Sequence, residues 1–319
     1  MRRIVNGEGY YHVTSRCALQ EFLLGDAEKE MFVTMMRRAE RFPGVEVLSY
    51  CVMSNHFHIL VHVRKEKDVG EAEVRERVSA LYGPERAARM FAEWDGMRAA
   101  GRDAELAREL GRLRARMGDV SQFMKTLKHR SSVWYRSHGG RTVGTIYQGP
   151  FHSVLVGGDA ESLSTVSAYI DLNPVRARIV EDPKDYRWSG YGAAVAGDAA
   201  ARRGLSLVYA EGRRPPDFMK AVAPLYRRKL YADGSDAIPQ EKVGKVLEGG
   251  GRLPWPTLLR CRLRFMTRGF VLGTRQFVEE QFERHRSKFG RRRRTGARKV
   301  RRGDGLYAAR DIRRNAITA

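Results

Sequence analysis

The fold is decided by the stretch Met53-Ser54-Asn55-His56-Phe57-His58-Ile59-Leu60-Val61, which lies in the strongest strand pattern of the chain. That pattern covers residues 45–63, where β-formers are enriched and apolar and polar side chains alternate in the later part. Successive side chains of a strand point to opposite faces. One face is therefore predicted to hold Cys51, Met53, Phe57, Ile59, Val61 and Val63, and the other His56, His58 and His62.

The flanking segments predict the rest of an α+β domain. Alternation over residues 11–16 indicates a first strand, and residues 145–156 indicate a further strand or hairpin. Apolar residues at helical spacing follow Asp26 and Asp159, each a candidate N-cap. This order predicts helices on one face of a mostly antiparallel sheet.

The chain is predicted to divide into three parts. Residues 1–191 form the α+β domain, interrupted at about residues 65–118 by a Glu-, Arg- and Ala-rich pair of helices. Residues 192–251 are predicted to be a linker with short helices. Residues 252–319 are predicted to be a basic helical region, with helices at 258–265 and 274–289 joined near 269–273. A helix-turn-helix and an ordinary helical hairpin both fit that pattern.

Charge is concentrated at one end of the chain. The 319 residues carry a net charge of +22, and residues 252–319 hold 20 Lys and Arg against 5 Asp and Glu, a net +15. Such a segment favours nucleic acid or an anionic membrane surface as partner. Three widely spaced cysteines exclude a disulfide framework, and the sequence has no membrane-length apolar run, so we expect a soluble cytoplasmic protein.

The histidine-bearing strand is a candidate metal site. His56 and His58 project from one face about 7 Å apart along the strand, which provides half of a divalent-metal site. Two ordinary surface histidines are the alternative. His62 lies about 13 Å beyond His58, too far for the same ion, and is either a DNA contact or a surface residue. His12 is a candidate for supporting the ligands from a neighbouring strand.

A second constellation lies on the helix after Asp159. Tyr169 and Asn173 are four residues apart and share a helix face. A tyrosine beside a metal is a candidate nucleophile for a phosphodiester, and the Asn173 amide oxygen is a candidate third ligand. The alternative is a half-buried tyrosine and an asparagine that ends the helix before Pro174.

Together these stretches resemble the REP-associated tyrosine transposases, of the HUH single-tyrosine (insertion-sequence type) transposase superfamily. The resemblance covers about residues 10–64 and 119–191. Several motifs in the same order are far more specific than a histidine pair alone. The motifs are Tyr11-His12-Val13-Thr14-Ser15-Arg16, Met53-Ser54-Asn55-His56-Phe57-His58-Ile59-Leu60-Val61, Tyr147-Gln148-Gly149-Pro150-Phe151-His152-Ser153, Tyr169-Ile170-Asp171-Leu172-Asn173-Pro174-Val175-Arg176-Ala177 and Tyr186-Arg187-Trp188-Ser189.

The resemblance implies a ferredoxin-like antiparallel sheet, binding of Mg²⁺ or Mn²⁺ by His56 and His58, and Tyr169 as nucleophile. Asn173 falls where these enzymes place a polar ligand. The implied reaction cleaves and rejoins single-stranded DNA near hairpins through a 5′-phosphotyrosine. Members of the family commonly act as homodimers. A protein that acts on DNA is further expected to associate with the nucleoid. Pro150 stands where the family usually has arginine, which puts one phosphate or structural contact in doubt.

Basic residues along the chain are candidate DNA contacts. Among them Lys125, Lys128 and Arg130, together with the aromatic Trp134 and Tyr135, are expected beside the histidine site on the sheet face, or alternatively in the core and on a solvated helix face. The candidates are Arg16, Lys125, Lys128, Arg130, Arg176, Arg291, Arg292, Arg293 and Arg294. The arginine run fits either a folded DNA reader or a disordered tail that binds counterions. A non-catalytic regulator that binds hairpin DNA or RNA remains the rival hypothesis. A rolling-circle initiator or relaxase would usually carry a helicase or mobilisation segment, and the sequence has no GxxxxGK[ST] loop.

Overall fold

Seven strands form one sheet in the computed structural model, which describes residues 7–64, 69–139, 145–231, 269–300 and 305–309. The strand order is β2-β3-β1-β4-β5-β7-β6. Neighbouring strands are antiparallel except for β4 and β5, which are parallel. The strands are β1 Gly9–Arg16, β2 Val45–Val52, β3 His56–Val63, β4 His152–Val156, β5 Val271–Gly273, β6 Arg298–Lys299 and β7 Tyr307–Ala309.

Helices follow β1, β3, β4 and β5 along the chain. The first group is α1 Asp26–Arg41, α2 Glu71–Tyr82, α3 Pro84–Ala99, α4 Asp103–Arg114 and α5 Val120–Ser137. The second group follows β4 and comprises α6 Ala160–Asp171, the short α7 Asn173–Arg176, α8 Gly190–Val195, α9 Ala199–Val208 and α10 Ala223–Tyr231. A π-helical turn, Phe218–Val222, precedes α10, and α11 Arg275–Arg284 follows β5.

The strand pattern at residues 45–63 is a hairpin rather than one strand. Its turn reverses the chain, so that Cys51 pairs with His58 and Val52 with Phe57. Directly paired residues share a face. Cys51 and Met53 therefore pack with Leu60 on the histidine face, and their predicted place beside Phe57 is wrong.

Helices cover both faces of the sheet, so the prediction of helices on one face is also wrong. α1 and α5 pack on the face that holds Phe57 and Ile59. The histidine face also carries Leu60, Val154 and Val156, and α6 covers them with Leu163, Val166 and Ile170. An apolar patch on the second face requires its own layer of helix.

The inserted segment contains one helix more than the sequence predicts. α2, α3 and α4 share a buried cluster around Val78, Trp94 and Leu110. Gly118, with φ of +62°, ends the segment, and Asp119 then caps α5 by accepting a hydrogen bond from the Ser121 backbone amide.

The chain after residue 190 also contributes to the core. Within 192–231, predicted as part of a linker, α9 and α10 bury Leu205 and Tyr226 in a cluster shared with α6. Residues 258–265 and 232–251 lie outside the described residues. Residues 269–273, expected as a turn between helices, include β5, whereas Thr274 caps α11 as the pattern at 274–289 predicts.

Asp171 fixes the end of α6 to the rest of the domain. Its fully buried carboxyl accepts hydrogen bonds from the Tyr226 hydroxyl at 2.5 Å, the Tyr191 backbone amide at 3.0 Å and the Ser49 hydroxyl at 3.2 Å. Burial raises the pKa of Asp171 to about 7, and these donors oppose that rise. Three elements, β2, α8 and α10, therefore meet at one carboxyl two residues beyond Tyr169.

Asp171→Ala should lower the free energy of unfolding by about 2–4 kcal/mol, because three buried donors would lose their acceptor. Urea unfolding measures the change. Asp185→Ala, which removes an exposed carboxylate, serves as the matched control and should change stability by less than about 0.5 kcal/mol. Equal effects of the two variants would contradict the anchoring role of Asp171.

Candidate active site

The candidate site lies on the histidine face of the sheet, where α6 crosses it. β3 supplies His56 and His58, β1 supplies His12, and α6 supplies Tyr169. His58 pairs with Thr14 across β1 and β3, and His56 pairs with Arg16. Three segments that are distant in sequence thus place their side chains on one patch of the sheet.

Ring distances show how closely these groups approach. The centroids of His56 and His58 are 5.1 Å apart. The Tyr169 ring lies edge-on to both neighbouring imidazoles, at 5.8 Å from His58 and 6.0 Å from His12. The structure therefore brings together the histidine pair and the tyrosine that the sequence singles out.

Hydrogen bonds at Nδ1 orient both imidazoles of the pair. His56 Nδ1 lies 2.6 Å from Asn55 Oδ1, and His58 Nδ1 lies 3.0 Å from His12 Nε2. The amide oxygen can only accept, so His56 donates from Nδ1 and its lone pair is on Nε2. When the His58 proton likewise lies on Nδ1 and is donated to His12, both rings present Nε2 as the coordinating nitrogen.

The surroundings keep these imidazoles neutral. Burial, followed by the charges of Arg16 and Arg176, lowers the pKa of His56 to about 4. Burial also lowers the pKa of His58 well below its usual value, with His12 and His56 adding to the effect. Because neutral imidazole is the form that coordinates a metal, the pair suits an ion with two nitrogen ligands.

Lowering the pH from about 6.5 to about 4 should remove the stability that His56 contributes to the metal-free protein, while Asp171, whose pKa is raised to about 7, acts in the opposite direction in the same window. Histidine in the unfolded chain takes up its proton near pH 6.5, whereas His56 in the folded chain does so near pH 4. The unfolded state therefore binds more protons in this window, and stability present above pH 6.5 is lost as the pH falls. The share of His56 is at most about 3 kcal/mol.

His56→Gln should flatten the part of this pH dependence that His56 causes, because glutamine does not titrate. Urea unfolding at about pH 7 and about pH 5 measures how much the free energy of unfolding changes over this range. His129→Gln, at an exposed position of α5, is the control. The same flattening in both variants would contradict burial of His56 as the cause.

Tyr169 is held by residues that follow it in the chain. The Arg176 guanidinium carbon lies 4.2 Å from the centre of the Tyr169 ring, and its Nη2 donates to the Tyr169 carbonyl at 2.6 Å. Asn173 Nδ2 donates to the carbonyls of Tyr169 and Ile170 at 3.1 and 3.0 Å. These bonds fix the end of α6, and a ligand role for the Asn173 oxygen stays a prediction.

The basic residues of α5 do not lie beside the histidines. Because α5 packs on the opposite face of the sheet, Lys125 and Arg130 line a separate groove there, and their expected place around the histidine site is wrong. Lys128 donates to the Gly149 carbonyl at 2.7 Å. Trp134 stacks on His138 with ring centroids 4.3 Å apart, and Tyr135 packs against the core.

The remaining candidates lie at the periphery. Arg16 is exposed at the end of β1, and the run Arg291–Arg294 follows α11, where Arg293 donates to the carbonyls of Thr295 and Gly296. His62 stacks on Tyr10 at 4.2 Å and lies 3.2 Å from Glu46. That pairing places His62 in a contact with a carboxylate.

A loop beside the site was not singled out by the sequence. Leu19 and Phe22 are 79% and 80% exposed between β1 and α1, and Leu19 and Gln20 have positive φ of 55° and 59°. Asn55, which bonds His56, also donates to the Gln20 carbonyl at 3.3 Å. The strained loop that carries these two apolar side chains is thus joined through Asn55 to the residue that orients His56, and no local sequence signal predicts their exposure.

Two absences concern only the parts of the chain that the structure describes. There, no group of three or more His, Cys, Asp or Glu side chains is arranged to hold a metal ion, so protein carboxylates do not complete the histidine pair. Within the same residues no helix has the length and apolar character needed to span a membrane.

Comparisons with known proteins find similarity among solved structures. The sequence matches no model of a known protein family and no curated protein. Among solved structures, the chain is similar to a REP-associated tyrosine transposase bound to a REP hairpin, with 15% sequence identity and a TM-score of 0.37, over 62% of this chain and 85% of that chain. A likeness this weak carries no argument about function, so the function proposed below depends on the residues and geometry of the site.

Proposed function

We propose that the protein cleaves and rejoins single-stranded DNA at hairpin-flanked sites, with Tyr169 as nucleophile and His56 and His58 as metal ligands. The observation that carries this proposal is the approach of the Tyr169 ring to within 5.8 Å of His58, beside a pair of neutral imidazoles. The ordered motifs that resemble the HUH transposases support the same assignment.

The proposed chemistry is a transesterification. The Tyr169 oxygen attacks phosphorus, a bond from the tyrosine oxygen to phosphorus forms, and the bond from phosphorus to the 3′-oxygen breaks. The phenol proton passes to solvent and the leaving oxygen gains a proton, which leaves a 5′-phosphotyrosine and a free 3′-hydroxyl. Attack by a 3′-hydroxyl reverses the step and rejoins DNA without an energy source.

Nitrogen ligands for a divalent ion are supplied by this chain at His56 and His58. A bound Mg²⁺ or Mn²⁺ would polarise a phosphoryl oxygen. His12 and Asn55 hold the two rings, which keeps each Nε2 as the coordinating atom. With two imidazoles and, among the residues that the structure describes, no carboxylate in a ligand cluster, Mn²⁺ should support the reaction at lower concentration than Mg²⁺, a harder ion that prefers oxygen ligands.

Arg176 is assigned two roles near the reacting tyrosine. Its contact with the Tyr169 ring restrains the side chain, and its positive charge lies where a phosphate would enter. Arg16, exposed on the neighbouring strand opposite His56, extends this positive surface. Both arginines would attract the DNA backbone without reading its sequence.

Unpaired bases fit the loop beside the site. The exposed apolar side chains of Leu19 and Phe22 do not complement the charged backbone of a duplex. The unpaired bases of a single strand offer flat faces that these side chains can contact. The antiparallel order β2-β3-β1-β4, with α1 and α5 together on one face, further supports a ferredoxin-like unit beneath this surface.

The test is incubation with labelled single-stranded hairpin oligonucleotides and Mn²⁺ or Mg²⁺, followed by denaturing gels. A labelled adduct that survives denaturation and disappears with EDTA supports the proposal. Tight binding to a hairpin panel without any adduct would instead support the non-catalytic regulator. The hairpin oligonucleotides carry a library of flanking sequences, so that cleavage is detected whichever sequence the protein recognises.

A further inference from the structure

We propose that the groove between α5, α1 and the inserted helices binds a single-stranded nucleic-acid segment through its phosphates, as a second site separate from the tyrosine site. The groove lies on the helical layer that covers the opposite face of the sheet. A strand bound there therefore does not present its phosphates to Tyr169.

The groove is large and open to solvent along α5. Its volume is about 840 Å³, and α5 forms one wall with a stripe of side chains from Gln122 to Ser137. The opposite wall comes from Met35 of α1 and from the inserted segment at Leu81, Tyr82, Arg86 and Arg116. The inserted helices, which lie outside the resemblance to the transposases, thus complete a surface that α5 alone would not enclose.

Charge in the groove is of one sign. Arg86, Arg116, Lys125 and Arg130 line it, and no acidic residue does so among the residues that the structure describes. Within those residues, no ion pair joins these four cations to a carboxylate. α5 itself has no Asp or Glu between Val120 and Ser137.

A second groove of about 440 Å³ shows the contrast. It is also rich in arginine, but Glu40 bonds Arg37 there, and Glu46 bonds both Arg64 and Arg203. Its charges are therefore largely satisfied within the protein. The α5 groove holds cations that lack such carboxylate partners among the described residues, and polyanion binding would relieve their mutual repulsion.

Arg130 is surrounded by other cations. Burial lowers the pKa of its guanidinium, and the charges of Arg38 and Arg86 lower it further. A phosphate in the groove would place a negative charge beside these guanidiniums and would favour their charged form.

Aromatic groups alternate with the cations, which favours nucleic acid over an acidic peptide. Trp134 is half-buried and stacks on the exposed His138 with an angle of 20° between the rings. On the other wall, Arg116 donates to the Tyr82 hydroxyl at 3.1 Å, and Arg86 lies 4.8 Å from the centre of the same ring. Aromatic faces beside cations suit bases stacked along a phosphate backbone.

The length of the groove matches a short strand. The fifteen-residue rise from Gln122 to Ser137 spans about 22 Å of helix. At about 3.4 Å per phosphate of a helical strand, that is room for about six phosphates.

The test uses the full chain with fluorescent oligothymidylate in EDTA, so that neither a hairpin nor cleavage is required. Lys125→Ala combined with Arg130→Ala should weaken binding about tenfold and reduce the salt slope by about 1.4, or about 0.7 for each lost phosphate contact. The matched control is Arg89→Ala combined with Arg108→Ala, which removes two exposed cations from the inserted helices outside the groove. The control should bind within about twofold of the unaltered protein.

A local readout complements the affinity. Oligothymidylate should quench the fluorescence of Trp134, and the quenching should be absent in Trp134→Phe. Polyglutamate of equal charge should not reproduce it. Equal affinities for the groove and control variants, or equal quenching by polyglutamate, would overturn the proposal.

The outcome is separable from that of the proposed transesterification. With saturating hairpin DNA, the groove variant should still form the tyrosine adduct, because its substitutions lie on the opposite face from Tyr169. Failure to form an adduct in the unaltered protein would count against catalysis and leave the oligothymidylate result standing. Loss of the adduct in the groove variant with unchanged affinity would overturn the second site.

Discussion

Tyr169→Phe is expected to abolish the covalent protein–DNA adduct while changing affinity for the same hairpin oligonucleotide by no more than about twofold. The substitution removes one oxygen atom, the proposed attacking group, and leaves the ring that Arg176 contacts. Loss of the nucleophile should reduce adduct formation on the order of 10³-fold or more. Denaturing gels measure the adduct, and fluorescence anisotropy measures affinity.

Tyr135→Phe is the matched control for that substitution. Tyr135 is a half-buried tyrosine on α5, on the other side of the sheet from the histidine pair. It should retain adduct formation within about twofold, because its hydroxyl is remote from the proposed chemistry. An adduct of normal yield in Tyr169→Phe would show that another residue, or water, attacks the phosphate.

Replacement of His58 by alanine should eliminate metal-dependent cleavage and spare most of the DNA affinity. The variant loses one of the two proposed imidazole ligands, and His12 loses the partner that lies 3.0 Å away. The cleavage rate should fall on the order of 10²-fold or more. Replacing a residue that only hydrogen-bonds to a metal ligand already lowers activity by about 10- to 100-fold, and loss of the ligand itself should cost at least as much. Affinity should be spared because the proposed contacts to the phosphate backbone of the DNA are separate from the ion site.

Titration with Mn²⁺ distinguishes loss of the ion site from general damage to the fold. His58→Ala should show little recovery over a range that saturates the unaltered protein, while its far-UV circular dichroism remains normal. His62→Ala is the control, since His62 contacts Tyr10 and Glu46 and lies away from the pair. Cleavage by the unaltered protein that persists in EDTA, or equal Mn²⁺-dependent activity of His58→Ala and the unaltered protein, would contradict a metal role for His58.

Local patterns predicted the elements that have strong local signals. Asp159 caps α6 as expected, with its carboxylate accepting from the Ser162 backbone amide at 2.8 Å. The alternating segments at 11–16 and 45–63 became β1 and the β2–β3 hairpin. The reversal at 53–55 escaped the prediction because the apolar alternation continues through it, so the pattern could not show that Cys51 changes face.

Pairings between distant segments could not be predicted from local patterns. β5 and β7 have three residues each, too few for alternation to be detected, and β5 is stabilised by joining β4 more than one hundred residues earlier. The side of the sheet that α5 covers is likewise set by packing rather than by its own sequence. Its basic residues were therefore assigned to the wrong face.

In the candidate site, too, the residues in short motifs could be predicted and the contacts between distant segments could not. His56, His58 and Tyr169 could be selected because their chemistry and spacing are visible in short motifs. The contact between His12 and His58 depends on the register of β1 against β3, in which Thr14, rather than His12, pairs with His58. Exposure of Leu19 and Phe22 follows from a strained loop that no composition rule predicts.

The most direct measurement of the central claim is mass spectrometry of the protein after reaction with a hairpin oligonucleotide, nuclease trimming and proteolysis. Formation of a 5′-phosphotyrosine predicts one modified peptide, with the remaining nucleotide attached to Tyr169 and a matching DNA fragment that ends in a 3′-hydroxyl. Attachment to a different residue, or cleaved DNA with a free 5′-phosphate and no modified peptide, would contradict Tyr169 as the nucleophile.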